Sequence, residues 1–202
     1  MAKLKLTKTE LKAQNDALKQ YRRFLPTLQL KKQQLQMELR KSRVLVEDNR
    51  AAYAALREKL SAFAGLFADA GAADFIVGNL HVVEVVRSEA NIAGVAVPVF
   101  DHVEFAAEPY DLFEAEFWFD RGIRAVRELV EVLEAGKVLE EQYRLLEKEL
   151  LTTTQRVNLF EKVKIPECLA NIRRIQIAMG DESTAAVVRS KIAKRKMQEA
   201  AA

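Results

Sequence analysis

Leu11, Leu18, Tyr21, Leu25, Leu28, Leu35 and Leu39 recur along the first part of the chain at steps of three, four and seven. The spacing continues through Val46, Tyr53, Leu56, Leu60, Phe63 and Phe67. Such steps put the apolar residues on one narrow stripe of a helix. Thr7-Lys8-Thr9-Glu10 marks its start, because a Thr hydroxyl and a Glu three residues on can satisfy two free amides reciprocally. Lys32 and Asn49 interrupt the stripe, and Pro26 is a poor helix former inside it.

A second stripe runs through Ile123, Val126, Val130 and Leu133, then resumes one step out of phase at Leu139. It goes on through Tyr143, Leu146, Leu150, Thr153, Val157 and Phe160 and, past Pro166, through Cys168, Ile172, Ile175 and Met179. The slip near Gly136-Lys137 reads as a heptad discontinuity. Between the stripes, glycines at 65, 71 and 78 end the helical run and β-branched residues take over. Phe75-Ile76-Val77 with Leu80 to Val86, and Ile92 to Phe105, read as two strands joined by a turn at Ser88-Glu89-Ala90-Asn91. Pro98 in the second strand implies an edge position or a bulge. An isolated hairpin is marginal in water, so this one must pack on the helices or on a partner.

The expected fold is therefore mainly α: a long antiparallel two-helix coiled coil with a small β-hairpin in the middle. Its divisions are an N-terminal helix over residues 1–68, a middle segment over 69–110 and a C-terminal helix over 111–202. Helices of roughly 60 and 80 residues span about 90 and 120 Å. Pairing about a point near residue 95 brings together residues whose numbers add to roughly 190. On that register Pro26 and Pro166 lie at nearly the same height, where both helices can bend together.

Composition supports this reading. Seven Gly and four Pro in 202 residues leave little turn chemistry for a sandwich or barrel. The single Cys168 excludes an internal disulfide and fits a reducing cytosol. Met1-Ala2-Lys3-Leu4-Lys5-Leu6 lacks the apolar core of a signal peptide, and the run from Ile92 to Phe100 is far short of the ~20 residues that span a bilayer. Charge is polarised along the chain: residues 1–50 carry net +8, residues 51–120 net −9, and residues 163–202 net +4. Both ends are basic and the middle is acidic.

The sequence has no G-x-x-x-x-G-K-[ST], G-x-G-x-x-G, H-E-x-x-H or C-x-x-C. His81 and His102 fall on the two expected strands and can face each other, but no cysteine is near to complete a metal site. Cys168 reads as a small buried hydrophobe on the stripe. The carboxylates from Asp101 to Asp120 read as an acidic surface, since no cleft is evident to shift their pKa values. Arg173-Arg174 and the run from Arg189 to Lys196 suit phosphate contacts but have no interleaved aromatics for base stacking. No catalytic residue, cofactor or metal is assigned. A nucleic-acid-binding or scaffolding coiled coil is the alternative reading.

Three segments carry a family resemblance. Leu25-Pro26-Thr27-Leu28-Gln29-Leu30-Lys31-Lys32-Gln33-Gln34-Leu35 resembles the first helix of the D subunit of the V-type/A-type ATPases, above all the bacterial branch. Asn91-Ile92-Ala93-Gly94-Val95-Ala96-Val97-Pro98-Val99-Phe100 resembles that family's hairpin segment. Thr154-Gln155-Arg156-Val157-Asn158-Leu159-Phe160-Glu161-Lys162-Val163-Lys164-Ile165-Pro166 resembles its C-terminal R-V-N-x-x-E stretch, with Leu159-Phe160 where smaller residues such as Ala-Leu are usual. The resemblance implies a central rotor axle, not an enzyme by itself. Its implied partners are the F subunit at its side, the ring of catalytic A and B subunits around its termini, and the C subunit (d in the eukaryotic enzymes) linking it to the membrane rotor. It implies no nucleic-acid partner, no membrane insertion, and a cytoplasmic position peripheral to the membrane.

Overall fold

The computed structural model describes residues 4–62, 80–106 and 119–200. Helix α1 runs Lys8–Ala62. Strands β1 (Val82–Ile92) and β2 (Val95–Phe105) form an antiparallel hairpin. Helix α2 (Phe119–Asn158) passes through a π-helical turn, Leu159–Lys164, into α3 (Ile165–Ala200). The expected helix end near residue 68, the strand at Phe75-Ile76-Val77 and the helix start near Asp111 lie outside the described residues.

The chain divides into two compact units, Met1–Lys32 with Thr152–Ala202, and Gln33–Leu151. In the first, α1 starts as its sequence requires. The Leu11 N–H donates to the Thr7 carbonyl at 2.9 Å and the Glu10 N–H to Thr7 Oγ1 at 3.3 Å. The Glu10 carboxylate turns to the Gln14 amide at 2.9 Å, so half of the reciprocal box forms. The core of this unit gathers Leu18, Cys168 and Ile172, flanked by Leu11, Ala17, Tyr21 and Ile165. Tyr21 and Phe160 pack with ring centroids 5.1 Å apart. Ascending α1 therefore meets descending residues of the later helix, and the pairing is antiparallel.

Pro166 is absorbed rather than left as a break. Proline has no N–H for the carbonyl four residues back and its ring crowds that carbonyl. Just ahead of it the Ile165 N–H reaches five residues back to the Phe160 carbonyl, and the wider turn takes up the misfit. Pro26 lies within continuous α1, where Thr27 Oγ1 donates to the Phe24 carbonyl at 2.8 Å. The two prolines do not share a height. Ile165 and Cys168 cluster with Leu18 and Tyr21, and Tyr21 packs on Phe160, so Pro166 lies level with residues of α1 that precede Pro26. Facing residues have numbers that add to between 181, for Tyr21 with Phe160 and Asn49 with Val132, and 190, for Arg50 with Glu140, so the expected ~190 is the upper end of the register.

In the second unit, Leu35 and Leu146 are fully buried with Val97 of β2 between them. Leu39, Leu145 and Leu150 surround them from the helices, and Ala90, Ile92, Ala93 and Val95 from the hairpin. The hairpin is held by the helices, as a two-stranded element requires. Arg87 pairs with Glu141 at 3.3 Å, and the Arg127 guanidinium lies 5.3 Å from the centre of the Phe105 ring.

The turn falls elsewhere than expected. Ser88 to Asn91 are strand residues paired with Val99 to Ala96, and the chain reverses at Ala93-Gly94. Both have positive φ, 53° and 78°, the backbone of a two-residue primed turn that matches strand twist. Asn91 Oδ1 accepts the Gly94 N–H at 2.9 Å and compensates for a non-glycine in the left-handed region. Pro98 lies in an edge strand opposite Glu89, as any strand of a two-stranded sheet must. The bulges are at Val83 and Asp101, the unpaired residues in the register, and Ser88 Oγ donates to Asp101 Oδ1 at 3.1 Å.

As far as Leu60 the stripe of α1 is as read from the sequence, and Phe63 and Phe67 lie outside the described residues. Leu11, Tyr21, Leu25, Leu28, Leu39, Tyr53, Leu56 and Leu60 are half-buried, and Leu18, Leu35 and Val46 are buried. In α2 the buried line runs through Ile123, Val138, Gln142, Leu146, Thr153 and Val157. Past Gly136 the seam is deepest at Val138 and Gln142, with the expected Leu139 and Tyr143 half-buried beside them. Beyond Pro166, Cys168, Ile172 and Ile175 are buried as expected.

Candidate functional site

The seam of the second unit carries its most specific polar contact. Asn49 is half-buried and donates from Nδ2 to the Val132 carbonyl at 3.2 Å. Gly136 makes room for it, since a Cβ there would come within 2.5 Å of Asn49 Oδ1. Along the sequence Gly136 reads as a phase slip and Asn49 as a gap. Their pairing is legible only when the two helices face each other. An isolated helix glycine, costing up to ~1 kcal/mol against alanine, was the available signal. Gly136→Ala forces Asn49 aside, so the gain in helix propensity is offset by a lost hydrogen bond. The net change is then within about 1 kcal/mol of zero. In an Asn49→Ala background the same substitution gains its full ~1 kcal/mol. A double-mutant cycle by chemical denaturation should give a coupling of about 1 kcal/mol, and additivity within about 0.3 kcal/mol would refute the pairing.

The two histidines do not meet. The His81 carbonyl accepts the Ala106 N–H, whereas His102 pairs with Val86. Four residues of strand separate the two levels, about 13 Å. His102 Nε2 lies 3.8 Å from Glu104 Oε1 instead. Among the described residues no group of three or more His, Cys, Asp or Glu side chains is placed to hold a metal ion. Of the acidic segment, Asp101, Glu104 and Asp120 are described and exposed, and the carboxylates between Glu108 and Glu116 fall outside the described residues. Cys168 is buried, and desolvation, then the neighbouring Glu167 carboxylate, push its thiol pKa up. That disfavours the thiolate a nucleophile needs.

Arg43 pairs with Glu47 at 2.9 Å, which raises the guanidinium pKa further, and Arg50 pairs with Glu140 at 2.7 Å. With Val46 and Tyr143 these four line an open groove. Arg173 and Arg174 are exposed on α3. From Gly180 to Glu199 every residue of α3 is exposed, including Val187, Val188, Ile192 and Met197 among the cations from Arg189 to Lys196. Among the described residues no helix is long and apolar enough to cross a membrane.

Comparison with known proteins accounts for this architecture along almost its whole length. Residues 10–195 match the family model that describes the D subunit of ATP synthase. The D subunit of the V-type ATP synthase of Borreliella burgdorferi is 44% identical over 96% of this chain and 95% of its own. The protein of that name from Chlamydia caviae is 34% identical over 98% and 95%, and the one from Chlamydia trachomatis serovar A is 33% identical over 98% of both chains. With its paired helices, its hairpin and this end-to-end similarity, the chain belongs to the family of ATP synthase D subunits.

Proposed function

We propose that the chain is the central rotor-stalk subunit of a V/A-type rotary ATPase, transmitting torque between the catalytic ring of A and B subunits and the membrane rotor. The full-length relationship to V-type ATP synthase D subunits carries this reading. As a member of that family the chain is part of an assembly and not an enzyme by itself. The F subunit binds at its side, and the C subunit (d in the eukaryotic enzymes) links it to the membrane rotor. It works on the cytoplasmic side, peripheral to the membrane.

Physical chemistry supports the assignment. Each unit has a thin apolar seam between antiparallel helices, strengthened in the second by the hairpin clamped on Leu35 and Leu146. Such a seam resists twisting, and long solvated faces remain for partners. A helix pair buries little apolar surface for its length, so a partner that binds only the folded form adds stability. Purified chain mixed with its F subunit should form a one-to-one complex. At a hundredfold excess of that partner over Kd, binding contributes about 2.7 kcal/mol and raises Tm by about 5–10 °C. An unchanged Tm with no complex would sink the reading. Tight, salt-dependent binding of duplex DNA by the isolated chain would favour the scaffold alternative.

A further inference from the structure

The π-helical turn does more than absorb Pro166. Ahead of it the seam of the first unit keeps heptad step: buried Thr153 is followed seven residues on by Phe160, which packs on Tyr21. Beyond it, buried Cys168 and Ile175 are again seven apart. From Phe160 to Cys168, however, the step is eight. A second line repeats the pattern, because buried Val157 and Ile172 are fifteen residues apart, one more than two heptads. The seam therefore gains one residue in the interval that holds Leu159–Lys164. Helix α1 gains none opposite. Leu11, Leu18 and Leu25, and Tyr21 and Leu28, keep steps of seven and are all buried or half-buried.

We infer that the turn is a built-in skip, a conformational device that stores one surplus residue so that the apolar lines on both sides of it face α1. A surplus shared by both helices could be spread over their supercoil, but one carried by a single helix has to be taken up locally. A π turn does this, since each of its hydrogen bonds encloses one residue more than an α bond. In an unbroken α-helix the heptads of Thr153, Val157 and Phe160 would run on to Lys164, Glu167, Asn171 and Arg174. The later helix would be turned by about 100°. Charged side chains would then lie on the seam, and Cys168, Ile172 and Ile175 would leave it. Unpaired charge is costly to bury, so the π turn is the cheaper solution. The seam, and not Pro166, fixes the turn. Through it the seam also fixes the face that α3 shows to solvent, where Arg173, Arg174 and Ile177 are exposed.

The test deletes single exposed residues from the purified chain and reads Tm by circular dichroism. Deleting Val163, which is 50% exposed, leaves the Ile165 N–H on the Phe160 carbonyl, now four residues back as in an α-helix. Both apolar lines stay in phase, and Tm should change by no more than about 2 °C. Deleting Arg173, also exposed, puts Ile175 out of step with Ile172. No closing of the π turn repairs this without displacing Cys168 and Ile172, so Tm should fall by about 4–10 °C. A crystal structure of Pro166→Ala should keep the Ile165 N–H on the Phe160 carbonyl. A loss from the Val163 deletion as large as that from the Arg173 deletion overturns the skip. A Pro166→Ala chain in which that N–H moves to the Glu161 carbonyl overturns it too, and assigns the turn to the proline.

Discussion

Leu35→Ala should lower the unfolding free energy by about 3 kcal/mol, in the range for fully buried leucines. Leu35 has no exposed surface and sits where α1, α2 and the hairpin meet, against Leu146 and Val97. Truncation removes apolar contact on three sides at once, and a helix pair this thin has no second layer to collapse into the void. A loss of that size lowers Tm by about 6–12 °C for a chain of this length. Because Val97 loses its partner, backbone amides of β1 and β2 should lose exchange protection together with those of α1. The contrasting substitution is Leu151→Ala, at 60% exposure, expected to cost no more than about 0.5 kcal/mol. Equal losses from the two would mean that the hairpin does not close this core.

Deleting residues 181–202 should leave the fold intact and impair assembly. Residues 181–199 are exposed throughout, so the core of Leu18, Cys168 and Ile172 should keep its stability to within about 0.5 kcal/mol. Under the proposed function this segment enters the catalytic ring. Burying Val187, Val188 and Ile192 there contributes about 1.5–3 kcal/mol each before binding costs. The truncated chain should then bind a purified ring of A and B subunits on the order of a hundredfold more weakly. Full-strength ring binding by a normally folded truncation would exclude the segment from that role.

The seam was legible because heptad spacing is a strong, redundant signal. Leu18, Leu35, Val46, Cys168, Ile172 and Ile175 were each marked by several neighbours in step. The hairpin was legible in kind but not in place. Ala93-Gly94 lacks the Asn-Gly or Asp-Gly signature of a tight turn, and its supporting Asn91 lies just outside the reversal, within the strand. The π-helical turn was hidden for another reason. Pro166 announces a lost hydrogen bond, yet only the backbone shows that Ile165 reaches five residues back. The polar contact of Asn49 depends on Gly136, 87 positions away in sequence. No period along one helix can report what the other presents.

That contact at Gly136 also sets which register the two helices of the second unit prefer. Sliding one past the other by a single residue is a 1.5 Å shift with a turn of about 100°. It would carry the Asn49 amide off the Val132 carbonyl and into a stretch where side chains fill the space the glycine leaves open. Asn49 acts as a key and Gly136 as its keyway. Slippage of the pair gives up a fit of shape as well as a bond, a preference of about 1 kcal/mol for the observed register.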